Sequence, residues 1–404
     1  MSASSRLRSA RLKAVVALRF RRFSAKVAGI RAADAAARRR AVRGGDRTLR
    51  LPSSVIVRVT ERCFLRCRMC GQNGDRGRLR DVSPSERRVF QAGILERVIE
   101  EMGTWPVKPL LKLTGGEPLV EREMVLAGLE RAAALGIVTK LNSNGVLLAG
   151  EDLARRVVRS GLDHLSISLD GPPEVHDRLR GREGTYEAAL EGIRNVRRYG
   201  RESRGGRPMI LVSAVISSLN QGRLLDLARG LAAADVDWLN LQFLHFTTAE
   251  NADAARRAMA GIFGRTEDPW DAFANEDLAA GVDAPALARE IEAILGEPLP
   301  FPVSVLGIGG LSARHIEAYY HRIEAPLGDR LCPMPYNAAF LVPPGRMVLC
   351  IDNPFLHYAD LERASLVEGW HAGPAAEFRR ALAGHFGREK TNFPQCRRCN
   401  WRFN

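Results

Sequence analysis

Six short runs rich in β-branched and aliphatic residues recur along the first 246 residues, and the stretches between them have helical periodicity. No other feature limits the fold so strongly. The runs are SSVIVRVT (53–60), PLLKLTGGEP (109–118), IVTKLNSNG (137–145), DHLSISLDG (163–171), MILVSAVIS (209–217) and DWLNLQFLHF (237–246). Between the first two, a helix is expected from Ser83 and Pro84 onward, through PSERRVFQAGILERVIEEMG. Strands alternating with helices form a parallel sheet, because a parallel connection needs a crossover long enough to hold a helix. The expected fold class is α/β, a partial (β/α)6 TIM-like barrel over 51–246. In such a barrel chemistry gathers at the carboxyl ends of the strands. Polar residues share a parity there: Lys112 with Thr114, Ser166 with Ser168 and Asp170, Asn240 with Gln242. Polar groups pointing into a barrel need a ligand or one another. A ligand is the expectation here.

At 404 residues the chain has room for about two or three domains. Its net charge of +14 is uneven: residues 1–50 hold fifteen Lys or Arg against Asp34 and Asp46 alone, so the rest is nearly neutral. A neutral body argues against a nucleic-acid partner, whose binding face should be basic. The arm carries Val15, Val16, Leu18, Phe20 and Phe23 among its arginines. It reads as a solvated extension, or as a basic amphipathic helix touching an anionic membrane surface or an acidic partner. An Arg-rich, acid-poor start also resembles a transit peptide. No apolar run is long enough to span a bilayer and no signal peptide opens the chain, so the cytoplasm is the expected location. Residues 247–330 break the alternation with helical stretches such as APALAREIEAILG and HIEAYYHRIEA, and read as a helical insertion or bridge. Residues 331–404 are loop-rich and cysteine-bearing, and read as a small metal-stapled domain.

The seven cysteines are odd in number and clustered, unlike a disulfide framework. Cys63, Cys67 and Cys70 fall within ERCFLRCRMCGQNG (61–74); Cys332, Cys350, Cys396 and Cys399 follow much later. Three thiolates can hold three irons of a cubane cluster and leave the fourth open to a small bidentate ligand. A zinc knuckle borrowing a ligand such as His164 is the alternative. The spacing C-x-x-x-C-x-x-C on a loop after the first strand resembles the signature of radical S-adenosylmethionine (SAM) enzymes. In that family the amino and carboxylate groups of SAM chelate the unique iron of a 4Fe-4S cluster. Reduction, here by a low-potential donor of flavodoxin or ferredoxin type, cleaves SAM to a 5′-deoxyadenosyl radical. The resemblance extends strand by strand. TGGEP (114–118) implies Gly115, Gly116 and Glu117 beside the SAM amino group, and NSNG (142–145) offers Asn144. SISLDG (166–171) brings Ser168 and Asp170 toward the ribose or substrate, and EVHDRLRG (174–181) implies Arg180 at the SAM carboxylate. Each of these would otherwise be a cap or turn residue. Met69 stands where the family often has an aromatic residue, and its thioether can pack on adenine.

The segments CPMPYNAAFLVPPGRMVLC (332–350), ADLERASLVEGWHAGPAAEFRRAL (359–382) and CRRC (396–399) resemble parts of the SPASM auxiliary-cluster module, in its shortened Twitch form. That implies an auxiliary 4Fe-4S cluster saturated by Cys332, Cys350, Cys396 and Cys399; a zinc ribbon is the alternative. All seven cysteines are then committed, and none is left to return a hydrogen atom to a substrate radical. A net two-electron oxidation fits, with the auxiliary cluster as acceptor, as in radical SAM/Twitch enzymes that oxidise secondary alcohols. The expected function is hydrogen abstraction from a small polar substrate and its dehydrogenation, the substrate being a sugar or aminocyclitol. The alternatives are crosslinking or oxidation of a peptide or protein, and a non-catalytic metal-binding scaffold. His245, at the end of the sixth run, is the candidate proton acceptor.

Overall fold

The computed structural model describes residues 48–203, 208–264, 270–306, 308, 310–322, 332–350, 352–385 and 399, with scattered positions between 10 and 35. The six expected strands form: β1 (Ser54–Arg58), β2 (Leu110–Thr114), β3 (Val138–Ser143), β4 (His164–Ser168), β5 (Met209–Ile216) and β6 (Trp238–Phe243). They are parallel neighbours in that order. The crossovers carry α1 (Ala92–Thr104), α2 (Arg122–Ala134), α3 (Glu151–Arg159), α4 (Pro173–Arg180), α5 (Thr185–Glu202) and α6 (Leu224–Gly230).

Period-2 patterning decides which way the sheet faces. On β2, Leu111 and Leu113 are fully buried toward the helices, while Lys112 and Thr114 are only half-buried on the other face. The helix α1 answers with a stripe of Ile94, Leu95, Val98, Ile99 and Met102. Each such side chain contributes about 1.5–3 kcal/mol when removed from water. The polar parity read from the sequence is therefore the inward face of a curved sheet.

The structure departs from expectation at three places. The helix expected from Ser83 and Pro84 begins only at Ala92. Ser83 instead closes a turn, its Oγ donating to Glu86 Oε2 at 2.6 Å. Val89 pairs with Thr60, and Phe90 N donates to Val59 O at 2.8 Å. Tertiary pairing thus takes the backbone that helical periodicity had claimed. Second, residues 247–330 are not helices alone. Beside α7 (Ala249–Phe263), α8 (Glu276–Ala280), α9 (Ala284–Gly296) and α10 (Ala313–Tyr320) they supply β7 (Val303–Leu306), which extends the parallel sheet next to β6. Third, the sheet runs on beyond β1. There β8 (Ala338–Val342) lies parallel to β1, and β9 (Arg346–Cys350) and β10 (Asn353–Asp360) add antiparallel, giving ten strands in the order β10-β9-β8-β1-β2-β3-β4-β5-β6-β7.

Described residues of the basic arm are helical and lie against the barrel. Val16 is buried, and the Phe23 ring meets His164 edge-on with centroids 5.1 Å apart. Val15 and Leu18 stay exposed. Among the described residues, no helix is long and apolar enough to cross a membrane.

Candidate active site

The cysteine loop leaves the carboxyl end of β1 and is held by charged side chains that would be expensive to bury alone. Glu61, 3% exposed, accepts from the backbone N of Arg88 at 3.1 Å, from its Nη2 at 2.9 Å and from Arg78 Nη1 at 3.2 Å. Arg87 donates to three carbonyl oxygens, those of Cys63 (3.4 Å), Leu79 (3.1 Å) and Val82 (3.3 Å). A guanidinium satisfies several carbonyls from one planar fork, which fixes a loop lacking regular structure. Neither Glu61 nor Arg87 stands out in the sequence, since a single charged residue in an Arg-rich chain carries no local signal.

The three sulfurs sit among N–H donors. Cys63 Sγ accepts from Leu65 N (3.4 Å), Cys70 Sγ from Gln72 N (3.4 Å) and Asn73 N (3.5 Å), and Cys67 Sγ from Arg180 Nη1 (3.6 Å). Donors aimed at sulfur favour thiolate, yet burial pushes the Cys63 thiol up to about 12 and raises that of Cys67 despite Arg180. A buried thiol of this kind ionises when a metal takes its proton's place. The donor set and its surroundings thus suit an iron-sulfur cluster on Cys63, Cys67 and Cys70.

The TGGEP turn is bonded directly to this loop. Gly116 N donates to Thr60 O (2.8 Å), Glu117 N to Arg62 O (2.8 Å), and Gln72 Nε2 to Gly115 O (3.4 Å). A Cβ on Gly116 would stand 2.2 Å from Arg62 O, closer than any real contact, so the glycine is required by the approach of two backbones. Gly116→Ala is expected to lower iron per chain by at least half and SAM cleavage with it. Gly93→Ala, where a Cβ meets nothing within 4 Å, should leave both unchanged. Iron analysis of the two variants checks this.

Glu117 lies 1% exposed behind the turn and faces the protein's own donors. It accepts from Ser143 Oγ (2.9 Å), Asn144 N (2.8 Å) and Leu119 N (3.1 Å), tying β3 to the turn. Burial pushes its carboxyl up to about 7 against those bonds. Asn144 accepts from Val146 N through Oδ1 (3.0 Å), and its buried Nδ2 has no partner among the described residues. Gln72 Oε1 and both amide atoms of Asn73 are orphaned likewise. Buried polar atoms without partners at a loop of three thiols are what a polar cofactor would satisfy.

Arg180, at the end of α4, pairs with Asp170 just beyond β4, Nη2 to Oδ2 at 2.6 Å. Asp170 Oδ1 also accepts from Val215 N at 2.9 Å. The structure therefore brings Asp170, Arg180 and Cys67 into one chain of contacts. Ser168 stands at the end of β4, half-buried opposite Ser213. His164 is the first residue of β4, at the end of the barrel away from the cysteine loop, and faces two lysines there.

Farther along, His245 follows β6, its Nδ1 3.6 Å from Asp352 Oδ2 and its ring stacked on Phe273. His245, Asp352 and Cys399 offer ligand atoms all within 4.8 Å of one another. This mixed set differs from the four thiolates expected of Cys332, Cys350, Cys396 and Cys399. Cys396 lies outside the described residues; Cys350 ends β9, and Cys332 is half-buried just before the turn into β8. Asp352 was not anticipated, for only the β9–β10 turn brings it to His245.

Residues 57–213 match the family model of the Radical SAM superfamily. Over this segment, which includes the cysteine loop and β2 to β4, the chain is similar to the core domain of the Radical SAM superfamily. It is similar to Pre-heme d1 synthase of Dinoroseobacter shibae, 34% identical over 220 residues, 52% of this chain and 50% of that protein. It is also similar to a probable GTP 3′,8-cyclase of Thermococcus kodakarensis, 31% identical over 184 residues, 45% of this chain and 54% of that protein. The chain thus spans about half the length of these relatives. In fold it resembles Streptococcus suis SuiB bound to S-adenosylmethionine, with a TM-score of 0.56 at 15% identity, covering 83% of this chain and 69% of the other. It also resembles anSMEcpe with bound AdoMet, with a TM-score of 0.54 at 14% identity, covering 81% and 79%.

Proposed function

We propose that this chain is a radical SAM oxidase that abstracts hydrogen from its substrate; an auxiliary cluster held by its C-terminal cysteines would supply an acceptor for the second electron. One observation carries the reading: three cysteines on one loop, braced by the Gly115–Gly116 turn, beside buried amide atoms of Gln72 (Oε1), Asn73 (both) and Asn144 (Nδ2) that have no partner among the described residues. When bound, the cluster and SAM supply a 5′-deoxyadenosyl radical. The chain's own residues hold and orient. Cys63, Cys67 and Cys70 take the iron, Asn144 Nδ2 offers a donor to the cofactor, and Arg180 keeps a positive charge beside the cluster. Reducing power comes from a small low-potential electron-transfer protein.

For the substrate, modification of a peptide or protein is the reading favoured by likeness of fold. The structures it resembles include SuiB bound to precursor peptide SuiA, with a TM-score of 0.55, and anSMEcpe with the Cp18Cys peptide, with a TM-score of 0.52. A small polar metabolite is the second reading. The sequence relatives are named for a heme-type product and for GTP, and the barrel holds a largely apolar cavity with Lys112, Lys140 and several serines and amides among its lining residues. A sugar or aminocyclitol has less support than either.

The auxiliary cluster, on Cys332, Cys350, Cys396 and Cys399 or with Asp352 or His245 as a ligand, is tested by iron content. About eight irons per chain are expected after anaerobic reconstitution, falling to about four in Cys350→Ala with SAM cleavage retained. About four irons in the wild type would remove the electron acceptor. The reaction class is tested by 5′-deoxyadenosine formation under dithionite; its absence from fully loaded protein would sink the reading.

A further inference from the structure

The barrel holds a half-open cavity of about 750 Å³ at the end opposite the cysteine loop, flanked by Val16, Phe23 and Val27 of the arm. Register places its charges. Lys112 on β2 is the direct cross-strand partner of Lys140 on β3, and Lys140 is that of His164 on β4. Three basic residues thus stand side by side on adjacent strands, whose backbones run about 5 Å apart. Next to them, Asn142, Ser166, Ser213, Asn240 and Ser304 add amides and hydroxyls; no carboxylate is among the lining residues described, and the one that acts on the tier is Asp352, on Lys112. Like charges directly opposite each other destabilise a sheet. This chain has only six lysines among sixty Lys and Arg, and two of them occupy this tier.

His164 supplies an independent sign of a ligand. It is 3% exposed, and neither ring nitrogen has a hydrogen-bond partner among the described residues. A buried imidazole so placed has polar capacity that something entering the cavity would meet.

We infer that this lumen is a binding site for a small, hydroxyl-rich oxyanion, a molecule bearing a carboxylate or phosphate held by Lys112, Lys140 and His164. Neutral groups of the same molecule meet the serines and amides. The site is distinct from the SAM end of the barrel and does not depend on radical chemistry. It would serve a substrate's acidic group and a separate small ligand alike.

The electrostatics agree. Burial, then repulsion from Lys112, brings Lys140 down to about 7. Burial brings Lys112 down to about 8, with Asp352 opposing, and holds His164 well below its usual range. The titratable groups facing Lys140 among the described residues are Lys112 and His164; the described arm residues at the cavity are apolar apart from Ser24. Because Lys140 is depressed when folded, its contribution to ligand-free stability is present above its unfolded value of about 10.5 and lost as pH falls through about 7. An entering anion favours the charged lysine, so binding near pH 7.5 takes up protons.

Titration calorimetry on the reconstituted full-length chain, in two buffers of different ionisation enthalpy, tests this with citrate and inorganic phosphate against myo-inositol. Expected are at least about tenfold tighter binding of one anion than of inositol, proton uptake at pH 7.5, and about tenfold weaker binding with less uptake in Lys140→Met, where Lys112 alone remains to take up a proton. Without anion, Lys140→Met should melt several degrees higher at pH 6.5, with that advantage shrinking as pH rises above about 7 and gone only near the unfolded value of about 10.5. Should the variant fail to fold, labelling of wild type by pyridoxal 5′-phosphate and borohydride decides. Modification of Lys112 or Lys140 that citrate suppresses supports the site, and modification confined to other lysines overturns it. Anions no tighter than inositol, or binding unchanged in Lys140→Met, also overturn it. Two tight anion arms identify a general oxyanion site; phosphate or citrate alone names the source. SAM cleavage in the same preparations is scored separately, so neither result depends on the other.

Discussion

Replacing Cys67 by alanine is expected to reduce SAM cleavage at least about 100-fold and to remove roughly four irons per chain. Cys67 is the most enclosed of the three loop cysteines and the one touched by Arg180. Losing a ligand outright should exceed the roughly 10–100-fold cost of losing a second-sphere partner. The Cys63 and Cys67 thiols resist ionisation until metal arrives, so cluster assembly on the wild-type loop releases protons and should weaken as pH falls. Iron and 5′-deoxyadenosine, measured on anaerobically reconstituted wild type and variant, decide the matter. Full iron with undiminished cleavage in the variant would mean that Cys67 is not a ligand.

The second large effect is on stability. Arg180→Met leaves Asp170, whose side chain is fully buried, with its Val215 hydrogen bond but no cation. Breaking one side of a buried pair costs about 3–5 kcal/mol, more than the net worth of the pair, because the remaining charge is stranded. Urea melts of the metal-free chain should show that loss. Arg180→Met with Asp170→Asn should recover much of it, since two residues in contact are not additive. Arg180→Lys separates the structural role from the expected contact with SAM. If SAM affinity falls while stability is kept, the guanidinium reaches the cofactor; if both are kept, its task is to hold Asp170 and Cys67.

Local periodicity made β1 to β6 legible, along with the side of the sheet that Lys112 and Ser166 face. The cysteine spacing and TGGEP were legible too, because their signal lies within a few residues. What remained hidden depends on partners far away. VSVL of β7 is four residues between proline- and glycine-rich stretches, too short to announce itself until β6 offers an edge. Glu117 looked like a cofactor contact; only folding shows its carboxylate filled by Ser143, Asn144 and Leu119. The alignment of Lys112, Lys140 and His164 is a matter of inter-strand register, which no single strand encodes. His245 was noticed for its place after β6, while Asp352, its neighbour, is more than a hundred residues later.

The pairing of β8 with β1 bears on how the chain is made. Ser53 bonds to Asn337 across 284 residues, and Trp370 Nε1 donates to Leu49 O from farther still. At ordinary synthesis rates of about 5–20 residues per second, β1 waits roughly 15–60 seconds for its outer neighbour. During that interval the strand that launches the cysteine loop is a naked edge, able to pair with another nascent chain. Contacts of such long range slow folding further. Expression at low temperature with slow induction and ample chaperone should therefore raise the soluble yield before any iron is supplied.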